Sequence, residues 1–295
     1  MRILLLGSTG MLGSDCKKVL NENHEVIAPH KKELDIISWD GVIETLDEVS
    51  PDVIVNCVGL TDMDVCETDD FAVRKINVEG PRNLAQGSAR FQCKLIHISC
   101  DHVFDGHKMI PQPYFEDDTP NPLSAYGKSK MESETAVREN SPNYIIVRTG
   151  WLYGLNGNNF VKSILKQAGE KKTKSMRVAN DQFGSPTWTY RLALQIRKLI
   201  SHDGRGTYHA TAEGNCSRSD CAEFMLKKLD LKVSIVPSSL KDLDPSVSEP
   251  VNCLLENRLL KKQGINLMLN WKEDMDAFLD ECGKALITEV EGRTK

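Results

Sequence analysis

The feature that most constrains the fold is a glycine-rich turn at the start of the chain. A short apolar run, Ile3–Leu6, leads directly into Gly7-Ser8-Thr9-Gly10-Met11-Leu12-Gly13, and a segment with helical spacing follows. In a strand–turn–helix unit, one such glycine permits a tight turn, one lets the backbone approach a pyrophosphate, and one lets the helix pack against the strand. Free N–H groups at the helix N-terminus then hold the phosphates. The arrangement therefore predicts a dinucleotide-binding βαβ unit.

The first half of the chain alternates β-branched runs with helical patterns. The runs are apolar throughout, which indicates strands covered on both faces and hence a parallel sheet between helices. We predict an α/β fold: a Rossmann-type doubly wound parallel sheet with a smaller C-terminal substrate lobe. The predicted strands are Arg2–Leu6, Glu25–Ala28, Asp52–Val58, Lys94–Ser99 and Tyr144–Val147. The predicted helices are Met11–Leu20, Trp39–Val49, Phe71–Ala89 and Ala125–Glu139.

The pattern changes near Gly150. Beyond it, Gly and Asn cluster in Gly154–Asn159, Pro, Ser and Asp cluster in Pro237–Pro250, and the βαβ alternation is lost. We expect residues 1–150 to form the dinucleotide-binding Rossmann domain. Residues 151–295 should form mainly the substrate-binding lobe, with segments at about 185–205 returning to the first domain.

Composition and charge limit the partners and the compartment. The formal net charge of −5 argues against a dedicated nucleic-acid binder. The opening apolar run is too short for a signal peptide or a membrane span, so no membrane association is expected. Nine cysteines without a Cys-x-x-Cys pair are typical of reduced thiols in a cytoplasmic protein. His97, His102 and His107 match no zinc signature, and no metal site is expected.

A second motif predicts the chemistry. Tyr126 and Lys130 form a Tyr-x-x-x-Lys pair near the start of a predicted helix, and residues four apart share one helical face. The pKa of an unperturbed Tyr is about 10, and a nearby ammonium lowers it by stabilising the phenolate. We predict that Tyr126 protonates a carbonyl oxygen as a hydride reaches the carbon. Lys130 would lower the pKa of Tyr126 and hold the nicotinamide ribose.

The end of the second predicted strand bears on the choice of cofactor. NAD sites usually carry Asp or Glu there for the ribose 2′-hydroxyl. This chain has Ala28-Pro29-His30-Lys31-Lys32 instead, with the first acid at Glu33. A basic cluster accepts a 2′-phosphate, so we predict NADPH, with NADH as the alternative. The expected cofactor-binding residues are Gly7, Thr9, Gly10, Met11, Leu12, Gly13, His30, Lys31, Asp35, Cys57, Val58, Gly59, Tyr126 and Lys130.

Six stretches, in order, cover most of the chain and carry a family resemblance. They are Pro51–Asn56, Asn77–Ala85, Val103–Gly106, Tyr126–Lys130, Trp151–Gly154 and Asn180–Thr187. Together they resemble the dTDP-4-dehydrorhamnose reductases, which belong to the extended short-chain dehydrogenases. The resemblance implies a two-lobed fold, NADPH or NADH as donor, and a 4-keto-6-deoxy sugar nucleotide as small-molecule substrate. It also implies that Trp151 and the segment Asp181–Thr187 contribute to the sugar site, and it suggests a homodimer.

Two departures from the family's pattern concern the site. The family usually has Ser-Thr-Asp-Tyr where this chain has Ser99-Cys100-Asp101-His102, so Cys100 takes the place of a catalytic Thr. A thiol is a weaker donor, and losing one well-aimed donor costs about 2.7–4 kcal/mol of transition-state stabilisation. Ser99 should face away from Cys100 along a strand, which leaves Ser124 as the substitute donor. Glu249 stands where the family usually has Arg, which predicts a changed phosphate or sugar contact.

We therefore expect Tyr126, Lys130 and Cys100 to be catalytic, with Cys100 not acting as a nucleophile. The expected substrate-binding residues are Asp101, His102, Val103, Phe104, Ser124, Trp151 and Gln182. The leading hypothesis is reduction of dTDP-4-dehydro-L-rhamnose to dTDP-L-rhamnose. One alternative is a reductase of a UDP-linked 4-keto-6-deoxy-N-acetylhexosamine for surface polysaccharide. The other is a non-catalytic, NADP-binding regulatory subunit on the same scaffold, which Cys100 favours and the retained Tyr–Lys pair opposes.

Overall fold

The computed structural model describes residues 1–170, 173–244 and 249–292. The strands are β1 (Arg2–Leu6), β2 (Glu25–Ile27), β3 (Val53–Asn56), β4 (Lys94–Cys100), β5 (Tyr144–Thr149), β6 (Leu152–Tyr153), β7 (Ser175–Ala179), β8 (Phe183–Gly184), β9 (Thr187–Trp188), β10 (Gly206–His209), β11 (Cys216–Ser217) and β12 (Ser234–Ser238). The helices are α1 (Met11–Leu20), α2 (Trp39–Val49), α3 (Met63–Thr68), α4 (Asp70–Arg74), α5 (Gly80–Arg90), α6 (Ala125–Asn140), α7 (Phe160–Gly169), α8 (Thr189–Ile200), α9 (Arg218–Lys228), α10 (Leu240–Leu243), α11 (Arg258–Lys262) and α12 (Trp271–Gly292).

The main sheet has six strands in the order β2-β1-β3-β4-β5-β10. Every neighbouring pair runs parallel. The chain moves from β1 outward to β2 and then crosses to β3 on the other side of β1, so the strand order reverses between β1 and β3. Ligands of open α/β sheets bind outside the carboxyl ends of the strands at such a switch point. The predicted doubly wound fold is confirmed.

Alternate residues of the central strands enter two separate cores. Ile3 and Leu5 of β1 pack in one cluster with residues of α1 and α8. Leu4 and Leu6 pack on the other face of the sheet with residues of α2 and α5. Successive strand side chains point to opposite faces, and both faces here are covered by helices. This double coverage is the reason that β1 reads as an uninterrupted apolar run.

The second half of the chain contributes to both parts of the molecule. A separate core gathers residues of α7, α9 and α12 beneath short strand pairs, β6 with β9 and β7 with β12. Helix α8 instead packs in the core of α1, and β10 adds the sixth strand of the main sheet. Strand β10 was not predicted, because Gly206-Thr207-Tyr208-His209 carries no apolar run. The division of the chain at residue 150 stays a prediction.

The predicted helix Phe71–Ala89 is helical over its whole length, but a π-helical turn interrupts its α-helical hydrogen bonding. It consists of α4, a π-helical turn over Lys75–Glu79, and α5. The π-helical turn carries Asn77, whose side chain bonds to the loop after β3, and such widened turns often occur at functional sites. Within the described ranges, no helix combines the length and the apolar character needed to cross a membrane.

Candidate active site

The glycine loop between β1 and α1 forms a cradle of bare backbone. Gly7 has a φ of +77°, and a Cβ added there would lie 2.9 Å from the carbonyl carbon of Cys57. A Cβ on Gly13 would lie 2.0 Å from the carbonyl oxygen of Gly7, so α1 packs at backbone contact against the loop. Gly10 caps α1 without a side-chain hydrogen bond, which leaves the first N–H groups of the helix available to an anion. The cradle fits a dinucleotide pyrophosphate.

A cavity of about 310 Å³ opens beside this loop at the carboxyl ends of β1 and β3. Nine of the expected cofactor residues line it: Gly7, Thr9, Gly10, His30, Lys31, Asp35, Cys57, Val58 and Gly59. The carboxylate of Glu33 accepts a hydrogen bond from the backbone N–H of His30 at 2.6 Å and is not among the lining residues. His30 and Lys31 border the cavity together with the acid Asp35. A 2′-phosphate requires basic side chains such as these two.

A second cavity, of about 430 Å³, adjoins the first and shares Gly10 and Cys57–Gly59 with it. Besides these shared residues, the structure brings eight further predicted site residues together here: Met11, Leu12, Cys100, Asp101, His102, Tyr126, Lys130 and Trp151. Four predicted substrate residues, Val103, Phe104, Ser124 and Gln182, do not line it. Val103 and Phe104 are buried beneath it, where the Phe104 ring stacks on Tyr114, and Ser124 lies at the start of α6.

Tyr126 and Lys130 lie one turn apart on α6 and both line the second cavity. The Nζ of Lys130 donates a hydrogen bond to the carbonyl oxygen of Ile98 at 2.7 Å. Burial, followed by the neighbouring thiol of Cys100 and the carboxyl of Asp101, raises the pKa of Tyr126 well above its ordinary value. The lowered pKa expected from the sequence is therefore wrong for this arrangement, because desolvation of the phenol dominates. The phenol stays protonated at neutral pH, which is the form that a proton donor needs.

Cys100 ends β4 inside the same cavity. Burial raises the pKa of its thiol to about 12, with Asp101 as the next cause, so the group remains a thiol at neutral pH. A thiol in this state is not a nucleophile. Its only role toward a carbonyl is that of a weak hydrogen-bond donor.

Neither serine near Cys100 supplies a hydroxyl in its place. The hydroxyl of Ser99 donates to Glu134 at 2.6 Å, so it is already engaged. The hydroxyl of Ser124 accepts from the N–H of Gly127 at 3.1 Å and caps α6. Ser124 does not line the second cavity, so the structure does not place its hydroxyl where it could replace the missing donor.

Thr149 is a site residue that the sequence reasoning missed. It ends β5 and is paired with Cys100 of β4, so the two side chains project from the same face of the sheet. Its hydroxyl is buried, lines the second cavity and has no hydrogen-bond partner among the described residues. Its position in the sequence could have identified it. The carboxyl ends of parallel strands lie at the same edge of a sheet, and Thr149 is the last residue of the strand beside Cys100.

Unsatisfied polar atoms concentrate in the second cavity. In the described part of the chain, buried side-chain atoms without a partner include Asp101 Oδ2, His102 Nδ1, Thr149 Oγ1 and Trp151 Nε1. All four residues line this cavity. Buried polar groups are nearly always hydrogen-bonded, so four exceptions in one place indicate a ligand rich in hydroxyl and carbonyl groups.

The indole of Trp151 is held in an unusual position. Its residue has a φ of 51°, a strained conformation for a side chain of this size. The ring lies against Gly184, where an added Cβ would approach it to 2.2 Å. The guanidinium of Arg218, which the sequence reasoning also missed, lies 3.6 Å from the ring centroid. Gln182 does not line the cavity, but its amide bonds to Arg218 and to Glu249, which both do.

The loop that separates the two cavities is tied to α6 by buried side chains. The side-chain oxygen of Asn77 accepts a hydrogen bond from the N–H of Leu60 at 2.8 Å. Its side-chain nitrogen donates to the carbonyl oxygen of Leu60 and to the hydroxyl of Ser129. His97 joins Asn56 to Ser133, so both of its ring nitrogens are engaged in hydrogen bonds. The Cys57–Gly59 backbone is therefore fixed relative to Lys130.

Comparison with known proteins agrees with this geometry. The chain is 38% identical over 269 residues to dTDP-4-dehydrorhamnose reductase of Aggregatibacter actinomycetemcomitans, covering 86% of this chain and 90% of that protein. It is 34% identical over 285 residues to the spore coat polysaccharide biosynthesis protein SpsK of Bacillus subtilis, covering 96% and 99%. The crystal structure of dTDP-4-dehydrorhamnose reductase from Bacillus anthracis in complex with NADP matches with a TM-score of 0.91 at 34% identity, covering 95% and 99%.

The family assignment rests on nearly the whole chain. The model of the RmlD substrate binding domain matches residues 1–283. The resemblance seen in the sequence motifs is thereby confirmed. The chain belongs to the RmlD substrate binding domain family, with the dTDP-4-dehydrorhamnose reductases among its members of 31–38% identity.

Proposed function

We propose that the chain catalyses the NADPH-dependent reduction of the 4-keto group of a dTDP-linked 4-keto-6-deoxy sugar. The leading substrate is dTDP-4-dehydro-L-rhamnose, which would become dTDP-L-rhamnose. One observation carries the proposal: the protonated phenol of Tyr126 shares a cavity with four unsatisfied buried polar atoms, and that cavity adjoins the glycine-loop cradle. The similarity to dTDP-4-dehydrorhamnose reductases and to the NADP complex of the Bacillus anthracis protein supports the same reaction.

The residues of the first cavity are suited to NADPH. The N–H groups at the start of α1 bind the pyrophosphate, and the side chains of His30 and Lys31 bind the 2′-phosphate. When bound, NADPH supplies the hydride that the 4-keto carbon receives. Lys130, whose ammonium is held by the Ile98 carbonyl, holds the nicotinamide ribose and stabilises negative charge on Tyr126.

The protein's part in the chemistry is proton transfer. Tyr126 donates its hydroxyl proton to the 4-keto oxygen as the carbon is reduced, so the product is an alcohol and the side chain is left as a phenolate. The raised pKa of Tyr126 keeps this proton in place until the more basic alkoxide oxygen develops. Solvent then returns a proton to the phenolate.

Two further donors lie side by side at the ends of β4 and β5. We assign the thiol of Cys100 and the hydroxyl of Thr149 to polarise the 4-keto oxygen. Thr149 supplies the stronger donor and thereby offsets the weak thiol at position 100. The remaining unsatisfied atoms, on Asp101, His102 and Trp151, bind the sugar hydroxyls.

A substrate panel tests this proposal. Purified protein is mixed with NADPH or NADH and with dTDP- or UDP-linked 4-keto-6-deoxy sugars, and nicotinamide absorbance is followed. We expect fastest oxidation with NADPH and dTDP-4-dehydro-L-rhamnose, and a product identified as dTDP-L-rhamnose by NMR. Faster turnover of the UDP-linked N-acetylhexosamine would reassign the substrate. Tight NADPH binding without oxidation by any member of the panel would contradict an enzymatic role and favour the regulatory-subunit alternative.

We also propose that the chain works in the cytoplasm and forms a homodimer. All nine cysteines are unpaired, as expected in the reducing cytoplasm. The homodimer suggested by the family resemblance would give twice the mass of the 33.0 kDa chain in light scattering. A mass equal to one chain at working concentration would contradict it.

A further inference from the structure

We infer that Arg218 is the cation that binds the diphosphate of the sugar nucleotide. The inference rests on the proposed function and deepens it by assigning the part of the site that recognises the charged half of the substrate. Arg218 is the first residue of α9 and lines the second cavity together with Trp151 and Glu249.

The guanidinium of Arg218 is fixed in place before any ligand arrives. Its central carbon lies 3.6 Å from the ring centroid of Trp151 and 4.9 Å from that of Phe160, within cation–π range of both aromatic rings. Its Nε donates a hydrogen bond to Oε1 of Gln182 at 3.1 Å, and Gln182 is itself only 2% exposed. Such anchoring removes most of the rotamer freedom that an arginine ordinarily loses on binding.

The free edge of this guanidinium carries its two Nη groups. In the part of the chain that the structure describes, the hydrogen bonds of Arg218 engage its Nε and its backbone N–H but neither Nη. The two Nη groups of a guanidinium form a fork that matches two oxygens of a phosphate. A positioned, half-buried cation with an unused fork is a binding element for an oxyanion.

Competing cations are few along the cavity. Of the residues that line it, Lys130 and Arg218 are the lysine and arginine, and burial lowers the pKa of Lys130. Lys130 is committed to the Ile98 carbonyl beside Tyr126, at the reacting end. Sugar hydroxyls need no cation, since the unsatisfied atoms of Asp101, His102 and Trp151 meet them. The diphosphate of the substrate therefore fits at Arg218.

The carboxylate of Glu249 should also affect the affinity for the diphosphate. Its carboxylate accepts a hydrogen bond from Nε2 of Gln182 at 2.8 Å, so Gln182 stands between the acid and Arg218. A diphosphate bound at Arg218 would lie near this like charge. The acid should weaken diphosphate binding, and its removal should strengthen binding.

The test measures dTDP binding by calorimetry, at low and high salt, for the wild type and four variants. Arg218→Gln should weaken dTDP binding by at least about 10-fold and flatten its salt dependence, because a charge-assisted fork is lost. Arg218→Lys should fall between the wild type and Arg218→Gln, since it keeps the charge without the fork. Glu249→Gln should tighten binding about 2- to 5-fold. Arg205→Gln, at an exposed arginine whose side chain donates a hydrogen bond to the Pro142 carbonyl and does not line the cavity, is the matched control and should change nothing.

NADPH affinity is measured in parallel as the check that each variant is folded. Wild-type dTDP affinity and salt dependence in a folded Arg218→Gln protein would overturn the assignment of Arg218 and leave the proposed reductase function standing. A wild-type protein that binds neither dTDP nor UDP would overturn both the assignment of Arg218 and the proposed function. If UDP binds in place of dTDP, the same variants decide the role of Arg218 with UDP as the probe.

Discussion

Replacing Gly13 by Ala should damage the cofactor site through backbone geometry alone. The new Cβ would lie 2.0 Å from the Gly7 carbonyl oxygen and 2.7 Å from its carbon, whereas an ordinary contact needs at least 3.4 Å. Both atoms belong to the backbone, so no side-chain rotation relieves the clash. The start of α1 must therefore move away from the loop by about 1 Å or more, and overpacking of this kind costs about 1–3 kcal/mol of stability.

A shift of this size takes the N–H groups of α1 out of hydrogen-bond range of a pyrophosphate. Each hydrogen bond to a charged group contributes about 1.5–3 kcal/mol, and losing one or two raises the Kd of NADPH by at least about 10-fold. Fluorescence titration with NADPH measures the Kd, and thermal melting without ligand measures the stability separately.

Gly41→Ala is the matched control for this substitution. Gly41 also lies in the first turn of a helix, α2, but its added Cβ would meet side chains and no backbone atom, with Ser38 at 3.2 Å and Leu34 at 3.9 Å. Its NADPH affinity should equal that of the wild type. If Gly13→Ala binds NADPH as tightly as Gly41→Ala does, the close approach of α1 to the loop is not what positions the phosphates, and the reasoning fails.

Three further predictions concern catalysis and pH. Cys100→Thr should preserve or raise kcat, because a hydroxyl is the stronger donor, and a large fall in initial rate would show that the thiol is fitted to this site. Thr149→Val removes the neighbouring hydroxyl at nearly constant volume and should lower kcat about 10- to 100-fold with NADPH affinity unchanged, while a wild-type kcat would exclude Thr149 from the reaction. Burial lowers the pKa of His209 well below its ordinary 6.5, so the unfolded chain binds more protons and stability falls as the pH drops below about 6.5. His209→Leu should reduce that fall in the free energy of unfolding by up to about 1.4 kcal/mol per pH unit. Urea unfolding between about pH 7 and about pH 5.5 measures it. If the free energy of unfolding changes with pH as it does in the wild type, His209 does not titrate in this range.

The cofactor cradle could be predicted from the sequence because its requirements are local. Gly7 and Gly13 are needed by a turn and a helix that are consecutive in the chain, and the clash distances at both positions bear this out. The apolar run of β1 likewise indicated burial on both faces. The family motifs predicted the shared cavity of Tyr126, Lys130 and Cys100 for a different reason. Cys100 ends β4, and Tyr126 and Lys130 lie near the start of α6 at the same edge of the sheet.

The remaining features depend on contacts between distant segments. Strand β10 pairs with β5 although its four residues have no apolar pattern, so only the sheet register identifies it. Thr149 and Arg218 reach the cavity through strand pairing and ring stacking that no spacing rule encodes. The pKa of Tyr126 failed as a prediction because helical spacing places an ammonium nearby but does not determine how deeply the phenol is buried.

The most direct test of the account compares the wild type with Tyr126→Phe under saturating NADPH and dTDP-4-dehydro-L-rhamnose. Removing one hydroxyl leaves the ring and its contact with His102 intact, so NADPH affinity should stay within about two-fold of the wild type. The rate of hydride transfer in a single turnover should fall by at least about 100-fold, because the proton donor is gone. A variant that transfers hydride at the wild-type rate would contradict the central claim that Tyr126 protonates the 4-keto oxygen.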